Sequence, residues 1–435
     1  MKLPGFILIL SLCSLTQIHA QSWQSEMDSV LRIAECQQMF DGQILIAEKG
    51  KILFDHTYGN MADGTPITED TPLSIQSVTK AFTALSILIL QDRGLLHIDD
   101  KLTAHIPELP YHDVTIRNLL NMTSGLPRFL PTVIYHGDTT RTWNNKDVIA
   151  LVSQYRPEAG VPGASFGYNN DNYMLLASII EEVSGESYKE FVQKNIFNPL
   201  QMVHSYVSES WHQHTDPDRS TEYYAVYGDG NIYSTAEDLY RFEQSLYTDQ
   251  LLSSDLLEQS FRYTILTDSS SSNYGFAWRL SENEHGREAY MVGDGENTRA
   301  SIQHFMDERK TLIYIHNFSG NNWKPVYSAV RNIWEGKPYT MPVARTVYMI
   351  DQELLKNYVG RYLSKVFGLL HVTEEDGKLL LRPDPIPGKE ELVPSSDTTF
   401  YFANQDIEWQ FFLDDQGKVI GLGLKGKPET MGPRQ

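Results

Sequence analysis

Apolar side chains recur at intervals of three and four residues directly after Ser77 in this sequence. They are Val78, Ala81, Phe82, Leu85, Leu88 and Ile89. This period is typical of an α-helix with a buried face, and Gly94 is a typical residue to end such a helix. The pattern therefore predicts a core helix that begins at Ser77.

The first turn of this helix carries the motif Ser-x-x-Lys, formed by Ser77 and Lys80. Residues at this spacing are neighbours on one helix face, with roughly 5–6 Å between their Cβ atoms. A serine hydroxyl becomes a good nucleophile when a base takes its proton, and a lysine acts as that base where its neutral form is accessible. Two interpretations are open: an acylating serine hydrolase, or an N-cap serine beside a hydrated lysine.

Length and charge bound the possibilities further. A chain of 435 residues is too long for one ordinary core, which predicts two domains. The net charge of −20 argues against nucleic acid and anionic membranes as partners, since both attract basic proteins. The expected partner is a small-molecule or peptide substrate. No metal is expected because the histidines form no cluster with metal-ligand spacing, and the oligomeric state is left open.

Residues 1–20 have the features of a signal peptide. Lys2 precedes an apolar run from Phe6 to Leu15, and Ile18-His19-Ala20 is an acceptable cleavage site. The run is too short to span a bilayer. We therefore predict a protein exported to the periplasm or secreted, with no membrane insertion after the signal is removed.

Cleavage at that site would leave Cys36 as the single cysteine of the mature chain. No intramolecular disulfide would then be available. No neighbouring residue suggests a nucleophilic role for Cys36, so we expect Cys36 to be buried and to pack like a small apolar residue.

Strand patterns at both ends of the first three quarters of the chain enclose a helical middle. A helix is predicted at 24–40, a β-hairpin at 43–47 and 52–54, and mostly helices from 95 to 235. Further strands are predicted at 274–280, 289–292, 300–305 and 311–315, followed by a helix at 324–334. The expected fold class is α+β: one antiparallel sheet flanked by helices, with an inserted all-helical region.

A different pattern follows a segment with two prolines at 336–345. Short apolar runs alternate with turn residues such as Asp376-Gly377, which predicts a small all-β barrel or sandwich. The predicted domain organisation is a signal peptide at 1–20, a first domain at 21–337, a linker at 338–350 and a β-barrel domain at 351–435.

A second chemical motif, Gly167-Tyr168-Asn169-Asn170, directly precedes a helix predicted at 170–183. A tyrosine at such a place could exchange protons, and an asparagine could hydrogen-bond a substrate amide. Loops that combine aromatic and amide residues are also common without any function.

Together these motifs resemble the serine β-lactamase-related family, which includes penicillin-binding proteins, D,D-carboxypeptidases, class C β-lactamases and related esterases. The resemblance covers about residues 25–337. The residues that carry it are Ser77-Val78-Thr79-Lys80, Ile116-Arg117-Asn118-Leu119-Leu120, Thr123-Ser124-Gly125-Leu126-Pro127, Tyr168-Asn169-Asn170, Ile196-Phe197-Asn198-Pro199-Leu200, and the segment from Gly228 to Leu239.

The resemblance implies a role for each motif residue. Ser77 would be the acylated nucleophile, and its backbone N–H would form half of an oxyanion hole. Lys80 and Tyr168 would manage the proton, and Asn170 would orient the substrate. No organic cofactor or metal is implied. The segment 346–435 resembles a small β-barrel appendage of some family members. Within this segment, two roles are open for Trp409, Phe411 and Phe412: they line a ligand cavity, or they pack in the core.

The third motif of the family, K-T-G or H-x-G, is the point of departure. Its best match is Met291-Val292-Gly293, and a shift by one residue gives Val292-Gly293-Asp294. Gly293 would still let substrate approach the strand, and the N–H of Asp294 could be the second oxyanion donor. The basic side chain that would pair with a substrate carboxylate is missing, and Asp294 would repel that group. Arg299 either takes the place of the missing basic side chain or is an ordinary surface arginine.

This departure shifts the expected substrate. β-Lactams and D-Ala-D-Ala peptides present a carboxylate, so the sequence predicts weak β-lactamase and D,D-carboxypeptidase activity and favours an ester or amide that lacks the group. Two other functions stay open: a hydrolase-derived binding or sensor protein without turnover, and a peptidase for peptides with D-residues.

Overall fold

The computed structural model describes residues 23–138, 141–208, 226–284, 286–295, 298–317, 323–344, 348–384, 389–402 and 408–435. The predicted signal peptide lies outside these residues. The described residues form two compact units: those within 41–208 and 226–317, and those within 23–40 and 323–435.

The described strands of the first unit are β1 (Gly42–Glu48), β2 (Lys51–Tyr58), β3 (Leu73–Ser74), β4 (Tyr206–Val207), β5 (Ile232–Ser234), β6 (Thr264–Ile265), β7 (Ser271–Ser272), β8 (Arg279–Asn283), β9 (Gly286–Asp294), β10 (Thr298–Phe305) and β11 (Lys310–Asn317). Those of the second unit are β12 (Gly360–Ser364), β13 (Gly368–Glu375), β14 (Lys378–Pro383), β15 (Glu390–Pro394), β16 (Thr399–Phe402), β17 (Glu408–Leu413), β18 (Val419–Leu424) and β19 (Lys427–Pro433).

The described α-helices, in chain order, are α1 (23–36), α2 (Thr79–Asp92), α3 (Leu102–His105), α4 (Ile116–Leu120), α5 (Leu130–His136), α6 (Asn145–Tyr155), α7 (Asp171–Ser184), α8 (Tyr188–Val192), α9 (Ala236–Ser245), α10 (Ser254–Leu257), α11 (Trp323–Trp334) and α12 (Gln352–Tyr358). No helix among the described residues has the length and apolar character needed to cross a membrane.

A six-stranded antiparallel sheet organises the first unit, in the order β2-β1-β11-β10-β9-β8. Strands β1 and β11 are almost continuous apolar runs and are buried along nearly their whole length, as expected for central strands covered on both faces. Because β1 and β2 come from before the helical region and β8 to β11 from after it, the predicted sheet built from both ends of this domain is confirmed.

Helix α2 lies in the core of this unit, with every residue from Thr79 to Leu90 buried. It ends before Gly94, whose positive φ of 69° is the left-handed conformation that glycine adopts without strain. The middle of the chain is helical as predicted, from α3 to α8. Helix α7 begins at Asp171 and ends at Ser184, with Gly185 as its C-cap, close to the predicted range.

The strand predicted at 274–280 is wrong over its first five residues, because β8 begins only at Arg279. Two features prevent an extended conformation there. Ala277 has a positive φ of 73°, and Gly275 lies so close to another segment that an added Cβ would be 2.0 Å from the carbonyl oxygen of Ser260. This approach places the residues before β8 against the core instead of in the sheet.

The C-terminal part of the second unit is an eight-stranded antiparallel barrel in the sequential order β12 to β19. The first and last strands meet, since Tyr362 pairs with Arg434 and the Ser364 hydroxyl donates to the Thr430 carbonyl at 3.0 Å. The barrel is therefore nearly closed, and the predicted all-β domain is confirmed as a barrel rather than a sandwich. Strand β19 and helix α12 were not predicted.

Aromatic side chains fill the interior of this barrel. Trp409 and Phe411 are buried in its apolar cluster, and the Phe411 ring stacks on that of Tyr358 at 4.3 Å. Phe412 faces the other way and is partly exposed. For Trp409 and Phe411, the structure thus supports core packing rather than a ligand cavity.

The expectation of a buried Cys36 is wrong, because the thiol lies on an exposed position near the end of α1. The buried positions of this helix include Met27, Leu31 and Ala34. Cys36 falls off the face that they form.

Replacing Phe82 by alanine is expected to destabilise the protein by about 3–5 kcal/mol, the usual cost of removing a fully buried aromatic ring. Phe82 on α2 packs on Phe242 at 4.1 Å and on Phe197 at 5.7 Å. Denaturant unfolding of Phe82→Ala and Phe82→Leu would measure the loss, with the leucine variant losing less. Leu95→Ala, at a side chain that is 52% exposed, is the control. Equal effects at both positions would contradict the assigned core.

Candidate active site

Ser77 lies in a short 3₁₀ turn, Gln76–Val78, directly before α2. The preceding residue, Gln76, has a positive φ of 49°, which is strained for a side chain of this kind. The side-chain amide nitrogen of Gln76, Nε2, stabilises this conformation by donating to the hydroxyls of Ser74 at 3.1 Å and Thr298 at 3.0 Å. Ser77 is partly exposed although Val78 and Thr79 are buried. The turn thus presents one hydroxyl at the edge of a closed core.

Lys80 is completely buried, with 0% of its surface exposed. Its Nζ donates to Ser77 Oγ at 2.9 Å and to the backbone carbonyl of Asp229 at 2.8 Å. The ring centres of Tyr168 and Tyr173 lie 5.2 and 5.8 Å from Nζ. No carboxylate of the described residues is within ion-pair distance of this amine. The interpretation of Lys80 as a hydrated surface lysine is therefore wrong, and the motif brings a desolvated amine to the serine.

Tyr168 completes a group of three side chains, because its hydroxyl donates to Ser77 Oγ at 3.1 Å. It is carried by the loop between α6 and α7. The loop is braced by the segment after α4: the Gly167 N–H donates to the Met122 carbonyl at 2.9 Å, and the Gly163 N–H donates to the Thr123 carbonyl at 2.7 Å. The Thr-Ser-Gly segment noted in the sequence therefore positions the tyrosine from outside the site.

The two asparagines after Tyr168 have different surroundings. Asn169 is buried, and its side chain donates to the carbonyls of Leu126 at 3.0 Å and Pro127 at 3.2 Å. Asn170 is exposed at the start of α7, and its side chain makes no hydrogen bond to the described residues. Of the two, Asn170 is the one whose amide is available to a ligand, and its role in orienting a substrate stays a prediction.

Strand β9 lies directly against the turn that carries Ser77. A Cβ added to Gly293 would be 2.1 Å from the carbonyl oxygen of Ile75, so glycine is required for this approach. The Gly295 N–H donates to the Thr298 carbonyl at 2.8 Å. Hydrogen-bonded and non-hydrogen-bonded residue pairs alternate along an antiparallel pair of strands. Since Gly295 is hydrogen-bonded to Thr298, the neighbouring pair of Asp294 and Arg299 is not hydrogen-bonded, and the N–H of Asp294 points away from β10. It points to an edge of β9 that β8 does not cover, since β8 pairs no further along β9 than Tyr290. The N–H of Asp294 is therefore not used in pairing with either neighbouring strand.

The position of the missing third-motif base is filled by Met291, which is 3% exposed and belongs to the apolar core. Arg299 forms an ion pair with Asp294. Burial lowers the pKa of the Arg299 guanidinium, and the Asp294 carboxylate opposes that effect. Arg299 is therefore already neutralised within the hairpin, and β9 itself offers no unpaired cation.

Asp229 is a neighbour of Lys80 for which the sequence suggested no role. It is 2% exposed, and its Oδ1 has no hydrogen-bond partner among the described residues. Burial raises the pKa of Asp229 to about 6, and the nearby Lys80 opposes that rise. The segment is fixed to α2, because the Thr83 hydroxyl donates to the Gly228 carbonyl at 2.6 Å. The Gly-Asp-Gly motif is visible in the sequence, but its contact with Lys80 is not.

Arg279, at the start of β8, is a second residue that sequence reasoning missed. Its guanidinium lies 6.0 Å from the ring centre of Tyr168 and 5.8 Å from that of Tyr274. The side chain is partly buried, and no carboxylate among the described residues pairs with it. No signal in the sequence could have placed it here, because the predicted strand had the wrong start.

A serine held by a buried lysine and a tyrosine, at the junction of an antiparallel sheet and a helical region, defines a serine hydrolase of the β-lactamase fold. The sequence profile of the Beta-lactamase family matches residues 32–331. This chain belongs to that family. A profile described as a domain of unknown function, DUF3471, matches residues 344–434, which include the barrel.

Individual relatives agree with this assignment. Penicillin-binding protein 4* of Bacillus subtilis (strain 168) is 32% identical over 430 residues, covering 90% of this chain and 94% of that protein. The octameric penicillin-binding protein homologue from Pyrococcus abyssi has a TM-score of 0.60 at 23% identity and covers 92% of this chain and 97% of its own. The D-amino acid amidase from Ochrobactrum anthropi SV3 has a TM-score of 0.58 at 21% identity, with 72% and 98% covered. These two structures establish the fold alone.

The raised pKa of Asp229 predicts a pH-dependent stability. The folded chain keeps this proton up to about pH 6, whereas the unfolded chain releases it near the ordinary value of 3.8. The folded chain thus binds more protons in this window, so its free energy of unfolding falls as the pH rises, by about 3 kcal/mol in total. Asp229→Asn does not ionise and is expected to gain stability relative to wild type over the same window.

Urea unfolding of both proteins between about pH 4 and about pH 7 measures the difference. The exposed Asp255→Asn is the matched control, and its difference from wild type should stay constant with pH. A constant difference for Asp229→Asn as well would show that this carboxyl does not titrate as described.

Proposed function

We propose that this protein is an exported serine hydrolase that acts through an acyl-enzyme at Ser77. The observation that carries the proposal is the pair of hydrogen bonds that Ser77 Oγ accepts, from Lys80 Nζ at 2.9 Å and from the Tyr168 hydroxyl at 3.1 Å. A hydroxyl between two groups that can exchange protons is arranged to lose its own proton as it attacks. The apolar run and cleavage site at residues 1–20 support export.

Acylation then follows from the positions of these groups. Ser77 Oγ attacks the substrate carbonyl carbon, and its proton passes to the Lys80–Tyr168 pair. The negative charge that develops on the carbonyl oxygen is stabilised by the backbone N–H groups of Ser77 and Asp294. When the tetrahedral intermediate collapses, the bond to the leaving group breaks, and the leaving oxygen or nitrogen takes the proton through Tyr168.

Deacylation uses the same groups with water as the nucleophile. The Lys80–Tyr168 pair accepts a proton from water, the new carbon–oxygen bond forms, and Ser77 Oγ leaves and regains a proton. The sum is the hydrolysis of one ester or amide by one water, and it requires no cofactor or metal.

The substrate class proposed is an ester, an amide or a peptide, with weak β-lactamase and D,D-carboxypeptidase activity. Support comes from β9, where the buried Met291 replaces the base of the third motif, and from Arg299, whose charge is already used in the ion pair with Asp294. A peptide or amide with a D-residue is a second candidate. It is favoured by the likeness to a D-amino acid amidase and to penicillin-binding proteins.

A binding or sensor protein without turnover is the alternative function. The absent third-motif base favours it, because the side chain that would pair with a substrate carboxylate is replaced by the buried Met291. The buried Lys80 and its hydrogen bond to Ser77 favour the hydrolase, since a binding site has no need of a desolvated amine beside a serine.

The test is intact-protein mass measured after incubation with a neutral activated ester, a penicillin and a fluorophosphonate. We expect a covalent adduct on the wild type from the fluorophosphonate and the ester, and slower labelling by the penicillin. Ser77→Ala should give no adduct. Lys80→Met should label about 10²–10⁴-fold more slowly, the usual loss when a general base is removed.

Steady-state hydrolysis of the ester separates the two functions. Turnover by the wild type supports the hydrolase, whereas an adduct that forms once and persists supports the binding protein. An adduct that survives the Ser77→Ala substitution would contradict the assigned nucleophile. Thr83→Ser, a conservative change on the same helix away from the reacting atoms, serves as the control and should keep the adduct.

A further inference from the structure

We propose that Gln76 is a positioning residue: it holds the turn of Ser77 against the end of the β9–β10 hairpin and so fixes the spacing of the two oxyanion donors. This inference rests on the proposed function, because those donors are the backbone N–H groups of Ser77 and Asp294. It gives a role in the reaction to a side chain that takes no part in the proton transfers described above.

The first argument is that one hydrogen bond joins the segments of the two donors. Ser77 lies in the turn before α2, and Asp294 lies at the end of β9. Among the described residues, a single hydrogen bond connects this turn to the β9–β10 hairpin, from Gln76 Nε2 to the Thr298 hydroxyl at 3.0 Å. Both donors must lie about 3 Å from one oxygen atom to stabilise its charge. The bond therefore connects the two segments whose spacing the reaction requires.

The second argument is that each end of this bond lies close to a donor. Gln76 directly precedes Ser77, so the two residues share the peptide group whose N–H is the first donor. At the other end, the Thr298 carbonyl accepts from the Gly295 N–H at 2.8 Å, and Gly295 directly follows Asp294. A shift of either end would move a donor by a similar distance.

The third argument is that the Gln76 amide is held from two sides. Its other hydrogen bond runs to the Ser74 hydroxyl at 3.1 Å, on β3, which leads into the turn. A side-chain amide has two N–H donors, so both are used, and the group loses a hydrogen bond if it rotates. These bonds also oppose the cost of the positive φ of Gln76.

The fourth argument is the space that the hairpin leaves for this side chain. A Cβ added to Gly293 would be 2.9 Å from Gln76 Cβ, and a Cβ added to Gly295 would be 2.6 Å from Gln76 Nε2. The side chain thus runs along the end of β9 from one glycine to the other. The hairpin and Gln76 are fitted to each other, and a shorter side chain at position 76 would leave this contact unfilled.

A purely structural role for Gln76 makes a different prediction from a role in positioning the donors. Loss of stability alone would lower activity on all substrates alike. Displaced oxyanion donors lower activity most where the atom that gains charge is a strong hydrogen-bond acceptor. Sulfur is a much weaker acceptor than oxygen, so a thionoester gains little from the donors and has little to lose.

The experiment compares 4-nitrophenyl acetate with its thiono analogue, in which sulfur replaces the carbonyl oxygen and the leaving group is unchanged. The ratio of kcat/KM for the ester to kcat/KM for the thionoester reports the contribution of the oxyanion donors. It is measured for wild type, Gln76→Gly, Thr298→Ala, Thr298→Ser and the double variant Gln76→Gly/Thr298→Ala. Glycine is chosen at position 76 because it keeps the positive φ and removes the amide. Thr57→Ala, on β2 of the same sheet and also partly exposed, is the matched control for Thr298→Ala.

We expect Gln76→Gly to lower kcat/KM for the ester by about 10- to 100-fold, which is less than the loss of about 10²–10³-fold when an oxyanion donor is removed outright. The ratio of ester to thionoester should fall by about tenfold. Thr298→Ala should lower the ratio less, because the bond to Ser74 remains. Thr298→Ser keeps the hydroxyl and should restore most of the ratio. The double variant should match Gln76→Gly, because both residues act through one hydrogen bond.

The outcomes separate this inference from the proposed function. If wild type is labelled at Ser77 and turns over the ester, but Gln76→Gly and Thr298→Ala keep the wild-type ratio, the inference is wrong and the hydrolase stands. An equal fall in Thr57→Ala, or effects at the two positions that add up in the double variant, would also overturn it. If wild type is neither labelled nor active, the proposed function fails and the inference fails with it.

Thermal unfolding of each variant checks that it is folded at the assay temperature. If Gln76→Gly does not fold, the comparison of Thr298→Ala with Thr298→Ser carries the test. A lower ratio in the alanine variant that serine restores supports the inference, and equal ratios in the two variants contradict it.

Discussion

The burial of the Lys80 amine is the constraint on which the rest of this site depends. An amine removed from water costs free energy unless its N–H groups find partners. Here they are Ser77 Oγ and the carbonyl of Asp229, with tyrosine ring faces beside them. Each partner comes from a different part of the chain. The amine is therefore satisfied only when the turn before α2, the segment before β5 and the loop before α7 are all in place.

Each of these three segments is held in position by well-packed parts of the fold. Helix α2 is buried along almost its whole length. The loop that carries Tyr168 is fixed by backbone and side-chain hydrogen bonds to the segment after α4. Strand β9 approaches the Ser77 turn so closely that position 293 must be glycine. Ser77, Lys80 and Tyr168 thus need no rearrangement for the reaction proposed above, and preorganised donors contribute most where water is excluded.

The site residues that belong to short sequence motifs could be predicted from the sequence. The site residues that are placed by contacts between segments far apart in the chain could not. Ser77 and Lys80 are close because a helix brings them together, and Tyr168 was found because it precedes a well-formed helix. Asp229 and Arg279 have no local sequence signal for their positions. Asp229 contacts Lys80 through its backbone carbonyl, and the position of Arg279 depends on where β8 begins. The same limit explains the false strand start, where Ala277 has a positive φ. The alternating and apolar strand patterns, by contrast, were sufficient for the sheet and for most of the barrel.

The most direct test of the central claim is a crystal structure of the protein after reaction with a fluorophosphonate. The account predicts a bond from phosphorus to Ser77 Oγ, with the phosphonyl oxygen about 3 Å from the backbone nitrogens of both Ser77 and Asp294. Lys80 Nζ should keep its contact with Ser77 Oγ. A phosphorus bond to any other residue, or a phosphonyl oxygen that points away from both N–H groups, would contradict the claim that this site is built to acylate Ser77.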